Sequence, residues 1–492
     1  MPPLNADTAM LDRAPEGAAG EISMRRVDSG RKQAGMPGGA GRGRQVGRSV
    51  AARVPRVGTT AAVTAGVVAS LAPGLLPRTP MAQAIVTALL VVLSLAGAGG
   101  VRVVLRRFRG RRETSPGLRL TAGGAGVAAI GVAMAYAEYW QNRLREVMGV
   151  GAIGLGYWAR WALTTALIVG VVVGIWFGLR WAVRGLGRLR SALIGLVTLL
   201  GVQFAGVPMV VEWRQAAYAA ADSFVDPAVV QPVSATRSGS PGSAASWAEL
   251  GAQGRRFVAG GSGAGVRVYV GLHSARDLPA RVELAVRELE RAGGFERGNL
   301  VLMVPTGSGW IDSDAAKGME ERFGGDVALA GLQYSAAPSW VTFMFGRNAA
   351  TESARALFEA VEQRISTLPR RPKLYVYGQS LGAVGGNAIF GDAAEQERRT
   401  CSVLWAGPPA NAVHRSGAAV LANASDPVVH WSPSLLWRAP DLSGTRPDAP
   451  VPQWLPVVSF VQTTADLLGA LDAPAGHGHR YGTDQGTALP DC

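Results

Sequence analysis

The first half of the chain is dominated by long apolar runs separated by short polar segments. Five such runs follow one another, and each is close to the roughly 20 residues that a helix needs to cross a bilayer. They cover residues 57–76, 81–105, 120–136, 158–179 and 189–211. A soluble bundle of buried helices is the alternative interpretation. So many nearly uncharged runs in series favour an α-helical membrane domain of about five transmembrane helices over residues 57–211.

The pattern changes after residue 265, where short apolar runs alternate with charged segments of helical periodicity. Strands are predicted at residues 266–272, 300–304, 327–333, 373–377, 402–406, 420–422 and 457–461, and helices at 279–292 and 352–367. This alternation predicts an α/β domain with a mostly parallel sheet over residues 266–492. The stretch RSGSPGSAAS at 237–246 marks residues 212–265 as a linker before it.

The distribution of charge predicts which side of the membrane each connection between the helices lies on. The chain has a net charge of +14, and Arg is concentrated in a disordered basic tail expected over residues 1–56 and in two segments at 102–112 and 180–190. Because Lys and Arg beside membrane helices stay in the cytoplasm, five crossings place everything after Val211 outside. The distribution indicates a multi-pass protein of the cytoplasmic membrane with an extracytoplasmic α/β domain, rather than a nucleic-acid-binding protein.

Cysteine and histidine are scarce. Two cysteines, Cys401 and Cys492, exclude a disulfide framework and a Cys-based zinc site. Whether the two pair stays open, although a core residue plus a loose terminal thiol is the simpler interpretation. Five histidines leave little material for a metal site, and no second ligand pair accompanies His477 and His479, so we expect no metal.

The candidate chemistry lies in YVYGQSLGAVGG, residues 375–386, where a serine stands between two glycines. The pattern G-x-S-x-G arises readily by chance in a Gly-rich chain, so its context decides. A nucleophile elbow is a sharp strand-to-helix turn that exposes the serine hydroxyl above a sheet. Here a predicted strand precedes the serine and a predicted helix follows it. The predicted elbow consists of Gly378, Gln379, Ser380, Leu381 and Gly382.

An acyl-transfer site also needs amide donors for the oxyanion, and in this architecture they come from a loop two strands before the elbow. The segment VPTGSGWID, residues 304–312, occupies that position. The amide of Thr306 or Gly307 is therefore expected to act together with that of Leu381. A plain glycine turn is the alternative.

The acid and the base follow the serine in chain order in this architecture. Asp426 ends a short predicted strand and is the candidate acid, with an Asx turn before proline as the alternative. His477 and His479 are the only clustered histidines, and just one of them can bond both Ser380 and Asp426. The bulky residues that follow His479 favour it as the base, and His477 stays open.

In order along the chain, these segments resemble the actinobacterial α/β-hydrolases with an N-terminal membrane domain. The likeness runs through SLAPGLLPR, PTGSGW, GDVALAGLQYS, PSW, RPKLYVYGQSLG, LWAGPP, SDPVVHWSPSLLWRAPD and GHGHRYG. It covers most of the chain after the basic tail. The resemblance implies a triad of Ser380, Asp426 and either His477 or His479, and it implies no metal or organic cofactor.

The sequence thus predicts a membrane-anchored serine hydrolase of the α/β-hydrolase type. Carboxylic esters, lipids among them, are the expected substrates, because the anchor keeps the site beside acyl chains. Thioesters and peptides would be cleaved by the same groups. The rival is a membrane interaction or scaffold protein that carries an inactive hydrolase fold. We expect membrane lipids and an acyl substrate as partners and no nucleic acid, and the sequence leaves the oligomeric state open.

Overall fold

The computed structural model describes residues 55–109, 115–261 and 263–492. The predicted disordered tail, residues 1–56, lies almost wholly outside the described residues. From residue 54 onward the chain forms one compact unit, in which a helical part precedes an α/β part.

The N-terminal half is built from apolar helices. They are α1 (Val57–Ser70), α2 (Pro80–Arg109), α3 (Pro116–Val147), α4 (Leu155–Leu186), α5 (Arg188–Gly201) and α6 (Val207–Ser223), with a π-helical turn (Val202–Gly206) joining α5 to α6. Within the described residues, α2, α3, α4 and the continuous α5–α6 span are long and apolar enough to cross a membrane. Helix α1 has 14 residues and at 1.5 Å each covers about 21 Å, less than the ~30 Å of a hydrocarbon core. The predicted helical N-terminal domain is confirmed, with four apolar helices of membrane-crossing length and one shorter helix in place of about five long ones.

Much of the apolar surface of these helices has no protein covering. In the most apolar window of α4 and of α5–α6, no residue is buried. Large side chains such as Leu167, Trp176 and Phe177 are more than 60% exposed. Contiguous apolar surface on this scale is not stable in water and requires an apolar surrounding or a partner.

The C-terminal half contains a six-stranded sheet in which every pairing is parallel. Its strands are β1 (Val266–Val270), β2 (Asn299–Val304), β3 (Val327–Leu332), β4 (Lys373–Gln379), β5 (Ser402–Ala406) and β6 (Ala418–Leu421), in the order β1-β3-β2-β4-β5-β6. Strands β1 to β5 are buried almost throughout, as expected of a parallel sheet covered on both faces. The predicted mostly parallel α/β domain is confirmed.

Helices cover the sheet on both faces and form the segment that follows β6. They are α7 (Gly251–Ala259), α8 (Leu278–Arg291), α9 (Ser313–Arg322), α10 (Ser339–Phe345), α11 (Arg347–Ser366), α12 (Leu381–Asn387), α13 (Ala393–Arg399), α14 (Pro427–His430), α15 (Val458–Asp466) and α16 (Asp484–Thr487). Several begin at aspartate caps. Asp277, for example, accepts a hydrogen bond from the Ala280 amide at 2.9 Å at the start of α8.

The strand predicted at residues 457–461 is wrong, because this segment is the start of helix α15. Its buried polar residues, Gln462, Thr463 and Asp466, recur at helical rather than alternating spacing. Gln462 and Asp466 form hydrogen bonds with the end of α1 and the connection after it, instead of with a sheet neighbour. A short apolar run by itself did not distinguish the two structures.

The segment expected as a linker, residues 212–265, includes two helical parts in the described residues. Helix α6 continues to Ser223, and α7 buries Phe257 and Val258 in the core of the α/β part. The Arg255 guanidinium is buried and donates to three carbonyls at the end of α6, from Asp222 to Phe224. Within the Ser/Gly/Pro stretch, the Ser238 hydroxyl donates to Glu288 of α8 at 3.0 Å, so this stretch also contacts the α/β part.

Cys401 and Cys492 form a disulfide. The simpler interpretation, a core residue plus a loose terminal thiol, is therefore wrong. The bridge ties the last residue of the sequence to the residue that precedes β5.

Candidate active site

Ser380 lies in a strained turn between β4 and α12. Its backbone angles are φ 56° and ψ −120°, and among the described residues only two other non-glycine residues have a positive φ. A Cβ atom at Gly378 would collide with the backbone of Gly382, and one at Gly382 would collide with the Val304 carbonyl of β2. Both glycines are thus required for the turn to close against its neighbours, as in a nucleophile elbow.

This turn stands where the strand order of the sheet reverses. After β2 the chain moves to β3 on one side, and after β4 it moves to β5 on the other side. The loops that leave β2 and β4 therefore diverge, and open α/β sheets bind ligands in the crevice between such loops. The half-buried Ser380 stands at the carboxyl end of β4, beside this crevice.

His479 and Asp426 form a buried pair. The His479 Nδ1 atom lies 2.7 Å from Asp426 Oδ2, and the two residues are 5% and 0% exposed. The same carboxylate accepts hydrogen bonds from the Tyr481 hydroxyl at 2.7 Å and from the Val428 amide at 2.9 Å. Burial, reinforced by Asp426, holds the pKa of Tyr481 well above its ordinary value, so the phenol remains a donor. Asp426 thus has three donors and the geometry of a carboxylate that orients an imidazole.

The structure brings Ser380 and His479 to the same place, the end of β5. The Ser380 amide donates to the Ala406 carbonyl at 2.9 Å, and the His479 ring packs on the next residue. A Cβ atom at Gly407 would lie 2.7 Å from His479 Cε1. His479 Nε2 is buried, and it has no hydrogen-bond partner in the described part of the chain, so Ser380 and His479 are not hydrogen-bonded here. Catalytic hydrogen bonds are often long or poorly aligned without substrate.

His477 belongs to a different pair. Its Nδ1 atom lies 3.2 Å from Asp448 Oδ2, and Asp448 also accepts hydrogen bonds from the Ser425 amide at 3.0 Å and from the Ser425 hydroxyl. The Ser425 hydroxyl in turn accepts from the Gly478 amide at 2.8 Å. This network ties the segment around Asp426 to residues 476–481, here called the histidine segment. Sequence reasoning missed Asp448, which sits between prolines in a loop without a recognisable motif.

His430 is buried four residues after Asp426. Its Nε2 atom lies 2.8 Å from the Ala424 carbonyl. Burial lowers its pKa, and Asp426 and Asp448 oppose that shift only in part. The ring is therefore held neutral as a structural group.

The candidate oxyanion donors are the amides of Leu381, Gly307 and Thr306, and they differ in whether another group already accepts their hydrogen bond. Leu381 is the first residue of α12, so its amide has no acceptor within the helix. The Gly307 amide donates to the Ser339 hydroxyl at 3.2 Å. The Thr306 amide donates to the Trp310 carbonyl at 2.9 Å and closes its own loop, so it is not available in this conformation. Of the two loop amides, Gly307 is the better second donor, because a long bond to a rotatable hydroxyl is easier to exchange.

A polar chain beneath the elbow supports the histidine segment. Gln379 Nε2 donates to the His479 carbonyl at 3.2 Å. The neighbouring Tyr377 hydroxyl donates to Gln485 at 2.6 Å, and Gln485 donates to Asp312 at 2.9 Å. Burial raises the pKa of Asp312. Sequence reasoning assigned Gln379 to the elbow but missed the other three, since their contacts span more than 100 residues.

Within the residues that the structure describes, no group of three or more His, Cys, Asp or Glu residues is placed to hold a metal ion.

Comparison with known families extends over nearly all of the chain after the first apolar helix. A model described as the alpha/beta-hydrolase family matches residues 266–419 and 414–489, and one described as the N-terminus of that family matches residues 71–262. Searches among curated proteins and among solved structures returned no match. The parallel sheet, the strained serine turn and these two matches agree, and the chain belongs to the α/β-hydrolase family.

Proposed function

We propose that this protein is a serine hydrolase with Ser380 as nucleophile, His479 as general base and Asp426 as the orienting acid. The observation that carries the proposal is the juxtaposition at one end of the sheet of a strained serine turn and a buried His–Asp pair. A lone G-x-S-x-G segment would not need a buried imidazole next to it. The buried Asp426 carboxylate orients the His479 ring beside this turn, which is the arrangement that a general base needs.

In the proposed reaction, Ser380 Oγ attacks the acyl carbonyl carbon while His479 Nε2 takes the serine proton. Asp426, held by Tyr481, stabilises the imidazolium that forms. The amide of Leu381, with that of Gly307 as second donor, receives the oxyanion. His479 then gives the proton to the leaving group, and a water molecule repeats the sequence on the acyl-enzyme to release the acid.

A fluorophosphonate probe tests the nucleophile, because only an activated serine reacts with it. We expect the detergent-solubilised full chain to be labelled and Ser380→Ala to be unlabelled, with ester turnover lower by several powers of ten. Ser366→Ala, which alters an exposed serine at the end of α11, serves as the matched control and should behave as wild type. An unlabelled wild-type protein would favour the rival, a scaffold with an inactive hydrolase fold.

Carboxylic esters with long acyl chains, lipids included, are the substrate class that we propose. Helix α10 lies beside the elbow, because its Phe343 packs in the same apolar cluster as Leu381. The same helix leaves Trp340, Met344 and Phe345 between 63% and 81% exposed. This apolar surface next to the nucleophile suits an acyl chain.

A series of 4-nitrophenyl esters from acetyl to palmitoyl tests this proposal, with thioesters and peptides as comparators. We expect kcat/KM to rise with chain length. Trp340→Ser should raise KM for the long esters and leave the acetyl ester unchanged. A flat chain-length profile, or faster cleavage of thioesters or peptides, would exclude long-chain esters as the preferred class.

We also propose that the helical half anchors the protein in the cytoplasmic membrane with the α/β domain outside. The connection between α1 and α2 and the one between α3 and α4 both contact the α/β domain, through Arg78 and Met148. The two Arg-rich segments, residues 102–112 and 180–190, begin in the last turns of α2 and α4, at the ends of these helices opposite the two connections. Basic residues stay in the cytoplasm and disulfides persist in oxidising compartments, so both features support this orientation.

Reporter fusions test the orientation. Alkaline phosphatase fused after Val211 should be active, and the same reporter fused after Arg112 should be inactive. The reverse pattern would assign the α/β domain to the cytoplasm.

A further inference from the structure

The connection between α1 and α2, here called the α1–α2 loop (residues 71–79), belongs to the helical half by sequence but packs into the α/β domain. Arg78, Leu75 and Leu76 are 3–5% exposed. A Cβ atom at Gly74 would lie 2.6 Å from a carboxylate oxygen of Asp466 at the end of α15. The backbone of the loop therefore packs directly against the end of α15 in the α/β domain.

The polar part of this contact is a buried ion pair with a full set of hydrogen bonds. Arg78 Nε donates to Asp466 Oδ1 at 2.9 Å, and the Leu75 amide donates to Asp466 Oδ2 at 2.7 Å. Arg78 also donates to the side chain and to the carbonyl of Gln462, whose amide group donates to the Ala69 carbonyl. Removing one partner of such a pair leaves an uncompensated buried charge, so the contact fixes one relative arrangement of loop and helix.

The apolar part of the contact reaches the histidine segment. Leu76 packs with Trp140 and Leu144 of α3 and with Ala473 of the α/β domain. A Cβ atom at Gly478 would lie 3.2 Å from Leu76 Cδ2 and 2.8 Å from the Ala473 methyl group. Leu76 thus lies against the residue that directly precedes His479.

A second connection between the α1–α2 loop and His479 runs through the backbone that follows α15. The His479 amide donates to the Ala470 carbonyl at 3.1 Å, and Ala470 lies four residues after Asp466. The loop therefore supports the histidine segment twice, at Gly478 by van der Waals contact and at His479 through the chain that Asp466 fixes.

The histidine segment needs such support from outside. Gly476 and Gly478 both have positive φ, of 89° and 56°. Glycine backbone has more conformational freedom than any other, so this segment cannot hold His479 in place by its own propensity. A general base must be held within about 0.5 Å of its productive position.

We propose that the α1–α2 loop positions His479, so that the membrane domain completes the catalytic site and is not only its anchor. Leu76 and Arg78 are positioning residues, which act through the histidine segment and do not touch the substrate. This inference rests on the proposed role of His479 as the base.

The test compares two buried aliphatic residues of the helical half in the full-length protein. Leu76 lies in the cluster that includes Ala473, whereas Val91 is 4% exposed in a cluster formed only by residues of the helical half. For each variant, titration with the fluorophosphonate probe gives the fraction of intact sites, and the labelling rate and kcat are then expressed per titrated site.

We expect Leu76→Ala to lower the labelling rate and kcat per titrated site by about 10- to 100-fold, with little change in KM for a short ester. Val91→Ala should stay within about twofold of wild type, and Leu76→Met should recover most of the rate, since it keeps the volume. Arg78→Met should resemble Leu76→Ala, because it frees α15 and the residues that follow it.

A merely structural role would reduce the titrated fraction and leave the rate per titrated site unchanged, and that outcome for Leu76→Ala would overturn the inference. The proposed function is checked separately by His479→Ala. If the wild type is labelled and His479→Ala is impaired while Leu76→Ala matches Val91→Ala, only the positioning role fails. If His479→Ala is labelled at the wild-type rate, the proposed base itself is wrong.

Discussion

Replacing Asp426 by asparagine changes the charge of the buried His–Asp pair with almost no change in shape. The carboxylate presents two oxygens to three donors, with His479 and Tyr481 on Oδ2 and the Val428 amide on Oδ1. Asparagine has a single acceptor oxygen. If its NH₂ group takes the Oδ1 position, it faces the Val428 amide, and if it takes the Oδ2 position, it faces His479 and Tyr481.

The structure predicts two separate effects of Asp426→Asn, one on the free energy of unfolding and a larger one on kcat. In either orientation at least one buried donor loses its acceptor, which costs about 1–3 kcal/mol of folding free energy. Catalysis suffers more, because the charge that stabilises the imidazolium is gone. When the NH₂ group faces His479, the ring proton also moves to Nε2, and Nε2 then cannot take the Ser380 proton. Loss of this kind lowers kcat by about 10⁴-fold, or about 5.4 kcal/mol of transition-state stabilisation.

The assay measures kcat for a short ester per titratable site, together with the free energy of unfolding. Asp448→Asn is the matched control, since Asp448 is also buried and accepts hydrogen bonds from a histidine and from Ser425. We expect Asp448→Asn to keep kcat within about tenfold of wild type. The reasoning is refuted if Asp426→Asn keeps kcat within tenfold, or if Asp448→Asn loses as much as Asp426→Asn.

The remaining predictions concern the histidines and the disulfide. His479→Ala should be as inactive as Ser380→Ala, while His477→Ala should keep most of its activity per folded molecule, and equal loss in both would contradict the separate pairings seen here. Because burial lowers the pKa of His430, the unfolded chain binds its proton more tightly, so stability should fall as the pH drops below about 6.5. His430→Gln should flatten that dependence in thermal unfolding between pH 7.5 and 5, and an unchanged slope would assign the effect elsewhere. Cys401→Ser opens a bridge between residues 91 apart and should cost about 2–4 kcal/mol of stability, whereas no change on mutation or reduction would show that the bridge is absent in solution.

Local patterns were sufficient for the parts of the fold that depend on neighbouring residues. The helices of the N-terminal half follow from long, nearly uncharged runs, since a buried strand is a much shorter apolar run. Strands β1 to β5 were predicted because strands buried on both faces are short continuous apolar runs. The serine turn was found because only glycine allows the close approaches at Gly378 and Gly382.

Predictions failed where a segment's structure depends on what packs against it. Residues 457–461 have the apolar content of a strand, but the helix α15 forms because Gln462 and Asp466 bond the α1–α2 loop. The Thr306 amide was a candidate donor from its place in the chain, and the contact with the Trp310 carbonyl that occupies it is a property of the folded loop.

The sequence by itself determined the order of the two domains, the class of each and the position of the serine turn, since these follow from local periodicity and glycine sterics. It did not decide between His477 and His479, which lie two residues apart in a glycine-rich segment. Only the tertiary structure assigned them to Asp448 and Asp426, 29 and 53 residues away. The contact of Arg78 with Asp466 spans 388 residues. Partners that far apart are selected by the packing of whole elements, and no local propensity encodes that choice.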